Sequence, residues 1–151
     1  MFKRVALAAA CVAGAAVLAA DSQAGTWKLN EAKSKFSDGA PKNRTVVYAV
    51  DGENIKVTVD GIDANGAAAH NEWIGKFDGH DYPVAGDATA DTRSYIRYDD
   101  RTLSFTQKKD GKITMLGRIV LSADGKSRTV TTSGTDARGR KFNTTAVYDK
   151  R

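Results

Sequence analysis

The stretch "VVYAVDGENIKVTVDG", residues 46–61, contains the whole logic of the fold. Val46, Tyr48 and Val50 share one face of an extended chain, and Ile55, Val57 and Val59 share one face of the next. The opposite face of the second run reads Lys56, Thr58, Asp60. A period of two with one apolar and one wet face is the pattern of antiparallel strands that cover a core on one side only. Asp51-Gly52 separates the runs and Asp60-Gly61 ends the second. Such dipeptides suit two-residue hairpin turns, whose second position needs a positive φ.

The same punctuation continues outward. Asp-Gly recurs at 78–79, 110–111 and 124–125, joined by Asn65-Gly66 and Arg138-Gly139. Short runs rich in Val, Ile, Thr, Tyr and Phe lie between them. Their inward rows read Trp73 and Phe77; Ile96 and Tyr98; Leu103 and Phe105; Ile113, Met115, Ile119 and Leu121; Val130; and Phe142, Ala146 and Tyr148. The only helical spacing, Glu31 to Phe36, predicts about one turn near the N-terminus. Pro41 and Pro83 fall between the predicted strands. A meander of eight or nine strands leaves two exposed edges unless it closes. The expected fold is therefore all-β, a single antiparallel up-and-down barrel, with a two-sheet sandwich as the alternative. Gly75, Gly117 and Gly134 fall in the inward register, and glycine inside a strand marks the sharp bends of barrel corners.

Upstream of this domain stands a leader. Met1-Phe2-Lys3-Arg4 is basic, Val5 to Ala20 is an unbroken apolar run, and Ser22 and Ala24 fit the small-x-small cleavage rule. The run falls short of the ~20 residues that span a bilayer. The reading is a secretory signal peptide, residues 1–24, followed by a barrel domain, residues 25–151, in the periplasm or outside the cell, with no stable membrane insertion after cleavage. The only cysteine, Cys11, lies in the leader, so the exported domain has no disulfide and is stabilised by its core alone.

The chain carries 23 basic and 18 acidic residues, a net charge of +5. The signs alternate, as in Arg97-Tyr98-Asp99-Asp100-Arg101, and no basic helix or aromatic-basic RNA motif is present. This describes a mixed solvated surface, and nucleic acid is not an expected partner.

The domain's two ends carry a resemblance. Gly25-Thr26-Trp27-Lys28-Leu29 and Val147-Tyr148-Asp149-Lys150-Arg151 resemble the first and last strands of the calycin barrels, above all the intracellular fatty-acid-binding proteins; lipocalins share the Gly-x-Trp start. The middle, with "KFDGHDYPV", "ADTRSY" and "LSADGKSRTVT", is similar to a group of small secreted bacterial lipocalin-like proteins. The resemblance implies a barrel and permits an apolar ligand. Fatty-acid-binding proteins place a carboxylate-binding arginine two residues before the final tyrosine, where this chain has Ala146. Their helical lid has no room between Asn30 and Asn43. The usual clamp is therefore not implied.

His80-Asp81-Tyr82 is the most chemically loaded triplet. Adjacent residues on a strand point to opposite sides, so the three converge only if a turn bends them together. A zinc site needs three or four ligands, and beyond the leader the chain offers only His70 and His80 with no thiol. The triplet reads as a structural rim, with Asp78-Gly79 as its turn, and His80 and Tyr82 as rim contacts for a ligand. No metal, cofactor or catalytic residue is expected. The interior is the other candidate site: Tyr48, Trp73, Phe77, Phe105, Met115 and Tyr148 are expected to line it, with Trp27 plugging one end. A barrel of this size is either filled by side chains or holds one small ligand. The leading expectation is a monomeric carrier of a small apolar molecule. The alternatives are a solid-core module of the cell envelope and an enzyme working at the barrel mouth.

Overall fold

The computed structural model describes residues 21–136 and 138–151; the predicted leader lies outside them except for Asp21 to Ala24. The chain forms ten strands: β1 (Gly25–Phe36), β2 (Lys42–Asp51), β3 (Asn54–Ile62), β4 (Ala68–Gly75), β5 (Tyr82–Ala85), β6 (Thr92–Asp99), β7 (Thr102–Lys109), β8 (Lys112–Leu121), β9 (Ser127–Thr135) and β10 (Lys141–Lys150). Each pairs antiparallel with its neighbours in sequence, and β1 pairs with β10, which closes the barrel and leaves no sheet edge.

The count is ten rather than the expected eight or nine. The strand missed in the sequence is β5, which contains Pro83. It has four residues, held by Glu72↔Ala85 and Trp73↔Val84 on one side and by Tyr82↔Arg93 and Pro83↔Thr92 on the other. A strand this short shows no periodicity, and proline usually argues against a central strand. The expected helical turn is also absent. Glu31 to Phe36 belong to β1, whose pairing with β10 slips between Asn30 and Lys35. There Ser34 Oγ donates to the Asn30 carbonyl at 2.6 Å, and the strand resumes with Phe36 opposite Thr144. A few residues of bulged strand mimic one helical turn in spacing.

The hairpin that opened the sequence reading is built as expected, with Val46↔Val59 and Tyr48↔Val57 paired across it and all four buried. Between β7 and β8, Asp110 and Gly111 take φ of 51° and 76°, the two positive values that a tight hairpin turn of matching twist needs. The phase of β6 is inverted relative to expectation. Ile96 and Tyr98 face out, 44% and 62% exposed, while Arg93 and Tyr95 are buried. The partner strand imposes this. Leu103, Phe105 and Gln107 of β7 sit opposite Arg97, Tyr95 and Arg93, and Leu103 is fully buried. Keeping β7's apolar row inside carries the odd-numbered row of β6 inside with it.

The core divides along the barrel axis. Toward the end that carries the 52–53 and 100–101 turns, Trp73, Phe77, Tyr48, Tyr95 and Tyr82 pack into one aromatic cluster. Trp73 meets Tyr95 edge-on at 4.7 Å and stacks on Phe77 at 6.2 Å. The cluster buries large aromatic area in favoured edge-to-face and offset geometries. At the same end Trp27 is fully buried and donates its indole N–H to the Gln23 carbonyl at 2.9 Å.

Candidate functional site

The other part of the interior is open. A cavity of about 590 Å³ runs between the strands and reaches the surface among the loops that follow β1, β3, β5 and β9, where Pro41, Asn65, Asp87 and Asp136 line it. Glycines account for much of this space. Gly117 lies opposite Phe105, and Gly134 opposite Phe142. The Phe105 ring fills the place of a side chain at 117, and Phe142 ring atoms stand 2.7 Å from where a Cβ at 134 would be. The rings fold back onto the wall over these glycines, a cross-strand pairing that stabilises sheets, and the lumen stays clear.

Of the expected lining residues, Tyr48, Phe105, Met115 and Tyr148 line the cavity. Trp73 and Phe77 do not; both are spent in the aromatic cluster beneath it. The polar handles of the expected pair are also engaged. Trp73 donates its N–H to the Arg93 carbonyl at 2.8 Å, and Tyr148 donates its hydroxyl to the Asn43 carbonyl at 2.8 Å. Burial pushes the Tyr148 hydroxyl up to about 12, so it stays protonated in that bond.

The expected rim residues sit elsewhere. His80, Asp81 and Tyr82 belong to the β4–β5 connection at the end opposite the mouth, and none of them lines the cavity. They diverge. The His80 side chain is 80% exposed and leans on Asp78 at 3.1 Å; Asp81 pairs with Lys108 at 2.9 Å; Tyr82 donates to Asp78 at 2.8 Å. The carboxyl of Asp78 accepts from the His80 backbone N–H and from Tyr82, which holds it down at about 2. This is a turn braced by its own aspartate. His70 is exposed at 53%, with Nδ1 2.5 Å from Asp60 and Nε2 3.5 Å from Glu72. Among the described residues, no group of three or more His, Cys, Asp and Glu gathers as a metal would require.

Among the lumen residues the sequence reading missed are Tyr95 and three buried polar ones, Arg93, Gln107 and Arg128, the last three exposed by only 5%, 2% and 2%. Arg128 forms the cavity floor. Its guanidinium carbon lies 4.7 Å from the Trp27 ring, 4.5 Å from Tyr48 and 5.5 Å from Tyr148, and its Nη1 donates to Gln23 Oε1 at 3.3 Å. Arg93 stands in the wall. Its Nε donates to Gln107 Oε1 at 2.8 Å, Nη2 to Asn71 Oδ1 at 3.1 Å and Nη1 to the Tyr95 hydroxyl at 3.4 Å. Gln107 and Arg128 share strand rows with Phe105 and Val130, so row parity carried a signal for both. The inverted phase of β6 removed that signal for Arg93.

No protein-family model matches the chain, and no curated protein matches its sequence. Solved structures with a similar chain path share little of the sequence. EF1p2_mFAP2b bound to DFHBI is 12% identical, with a TM-score of 0.48 over 88% of this chain and 97% of that one. The redesigned β-barrel mFAP1 bound to DFHBI is 15% identical, with a TM-score of 0.47 over 86% and 98%. Bovine odorant binding protein complexed with its natural ligand is 10% identical, with a TM-score of 0.40 over 87% and 73%. A functional reading therefore rests on this chain's own lumen.

Proposed function

We propose that this chain is a binding protein that holds one small, largely apolar molecule inside its barrel. The observation that carries the reading is the cavity. At about 590 Å³ it lies within the ~300–1,000 Å³ range of small-molecule sites. Its wall combines Val57, Phe105, Ile119 and Phe142 with a few fixed polar groups, the composition such sites use to gain both affinity and orientation. The solid-core alternative drew its support from the aromatic load; the rings that lie over Gly117 and Gly134 leave space instead of filling it, which favours the carrier. A catalytic reading has no gathered group at the mouth to support it, because His80, Asp81 and Tyr82 diverge at the other end. The purified protein should take up a neutral naphthylamine dye saturably and at one site per chain. A linear, non-saturable signal, equal to that of a folded protein without a cavity, would falsify the proposal.

We read export outside the cytoplasm, as a monomer, as part of the same function, with the leader ending before Asp21 rather than after Ala24. Gln23 is fully buried against Arg128 and Trp27, and Asp21 pairs with Arg97 at 2.5 Å. Removing residues 21–24 strips both partners from the barrel floor. Mass measurement of the exported product should give a chain beginning at or near Asp21; a product beginning at Gly25 contradicts this boundary.

A further inference from the structure

The chain has six asparagines, and one of them is followed by glycine. Asn65-Gly66 lies in the connection between β3 and β4, where Asn65 lines the mouth of the cavity. Both residues are exposed. Gly66 takes φ of 80°, and a Cβ placed on it would meet nothing within 4 Å. The space around its amide is therefore open, and no side chain of its own shields that nitrogen.

The loop is fastened at one residue. The Asp63 carbonyl accepts from the Gly66 N–H at 3.0 Å, and the Asp63 carboxylate accepts from the Asn65 and Ala67 N–H groups at 2.9 and 3.0 Å. This is an aspartate brace around a short turn. Among the described residues no hydrogen bond holds the Asn65 side-chain amide itself.

The other five asparagines are placed differently. Asn30, Asn43, Asn54, Asn71 and Asn143 all lie in strands, in β1, β2, β3, β4 and β10. Strand pairing fixes their backbone, and each is followed by a residue that carries a side chain. Asn30 and Asn71 are held further by bonds to Asp149 and Arg93. Only at Asn65 do a free side-chain amide, an unshielded neighbouring nitrogen and an exposed turn coincide.

We propose that Asn65 is a site of spontaneous deamidation and that the reaction rebuilds the mouth of the barrel. Base removes the Gly66 amide proton, and the nitrogen forms a bond to Asn65 Cγ. The Cγ–Nδ2 bond breaks, and the nitrogen leaves as ammonia with a proton from water. Water then opens the resulting cyclic imide at either of its carbonyls. Opening at the side-chain carbonyl gives aspartate; opening at the main-chain carbonyl gives isoaspartate. The sum is one water consumed and one ammonia released, so the reaction needs no enzyme, metal or oxidant. Because the nucleophile is a deprotonated amide, the rate rises with pH.

The consequences follow from the brace. Either product adds one negative charge at an entrance that Asp63 and Asp87 already line. Isoaspartate also inserts a methylene into the main chain between the two N–H groups that Asp63 holds, which draws the Ala67 N–H away from the carboxylate. The closed end of the barrel is untouched. The assignment stands whether or not the lumen holds a guest.

The test is peptide mapping by mass spectrometry after the full protein is incubated in warm, mildly alkaline buffer. The peptide that contains residue 65 should gain about one mass unit and separate into two products; the Asp-Gly pairs isomerise without a change of mass and do not interfere. Conversion in the folded protein should run within about ten-fold of that in the urea-unfolded chain, because an exposed turn opens at little cost. Gly66→Ala should slow it, and Asn65→Gln should abolish it. An intact Asn65 in the folded protein, while the unfolded chain converts, overturns the site. Conversion of any strand asparagine as fast as Asn65 in the folded protein overturns it as well. In the isoaspartate form, separated chromatographically, the Ala67 amide proton should exchange faster than in the unreacted protein; equal exchange overturns the rebuilding of the mouth.

Discussion

Two buried arginines occupy the same barrel in different surroundings. Arg128, in the floor, is walled by Trp27, Tyr48 and Tyr148 and tied to Gln23. Arg93, in the wall, bonds only to groups that border open space. The floor arginine is part of the packing, where its flat cation stacks on aromatic faces and its stem covers apolar surface. The wall arginine is held by hydrogen bonds to the neutral oxygens of Gln107, Asn71 and Tyr95. The same residue type therefore sits in two different settings, and the difference lies in what covers the guanidinium: three rings in the floor, neutral hydrogen-bond partners in the wall.

Substitutions at the two ends should separate these roles. The largest effect belongs to the floor itself. Trp27→Ala leaves a void in a fully buried site and removes the bond to the Gln23 carbonyl; urea unfolding should show a loss of about 3–5 kcal/mol. Arg128→Met comes next, with a loss of about 2 kcal/mol as the ring contacts and the Gln23 bond disappear. Arg93→Met should change stability by less than about 1 kcal/mol, because it removes an uncompensated buried charge while water in the cavity satisfies the oxygens of Asn71 and Gln107. If Arg93→Met costs as much as Arg128→Met, the contrast between floor and wall collapses.

The smallest effect lies outside the barrel. The Asp60 carboxylate bonded to His70 raises the His70 midpoint above its ordinary 6.5. Its contribution to stability is fully present below the unfolded value and is lost as pH rises through the raised folded value. Proton NMR titration should place His70 above 6.5, and Asp60→Asn should bring it back toward that value with no change in dye binding.

Much of the wall was legible because most of its strands announce themselves. The β2–β3 hairpin needs only its alternation and Asp51-Gly52, and β7 shows Leu103 and Phe105 on one row. β6 could not be read alone. Its inward row is Arg93, Tyr95, Arg97 and its outward row contains Ile96 and Tyr98, so side-chain polarity points the wrong way and only the pairing with β7 fixes the phase. β5 was hidden by its length and by Pro83. The candidate site was half legible for a related reason. The apolar and aromatic lining follows from row parity, whereas polar residues on strands are ordinarily assigned to solvent, and Arg93, Gln107 and Arg128 are the residues for which that habit fails. Trp73 and Phe77 failed the other way: their inward direction was right, but their depth along the axis, which one row of a strand does not specify, places them below the lumen.

The brevity of β5 has a kinetic consequence. Every other wall segment is held along eight residues or more, while this one is clasped by two residue pairs on each flank. The amide protons of Tyr82, Val84 and Ala85 should exchange with solvent before those of any other strand, since the least cooperative stretch of a protein opens at the lowest free energy. Because Tyr82 pairs directly with Arg93, that opening loosens the chain beside the buried guanidinium.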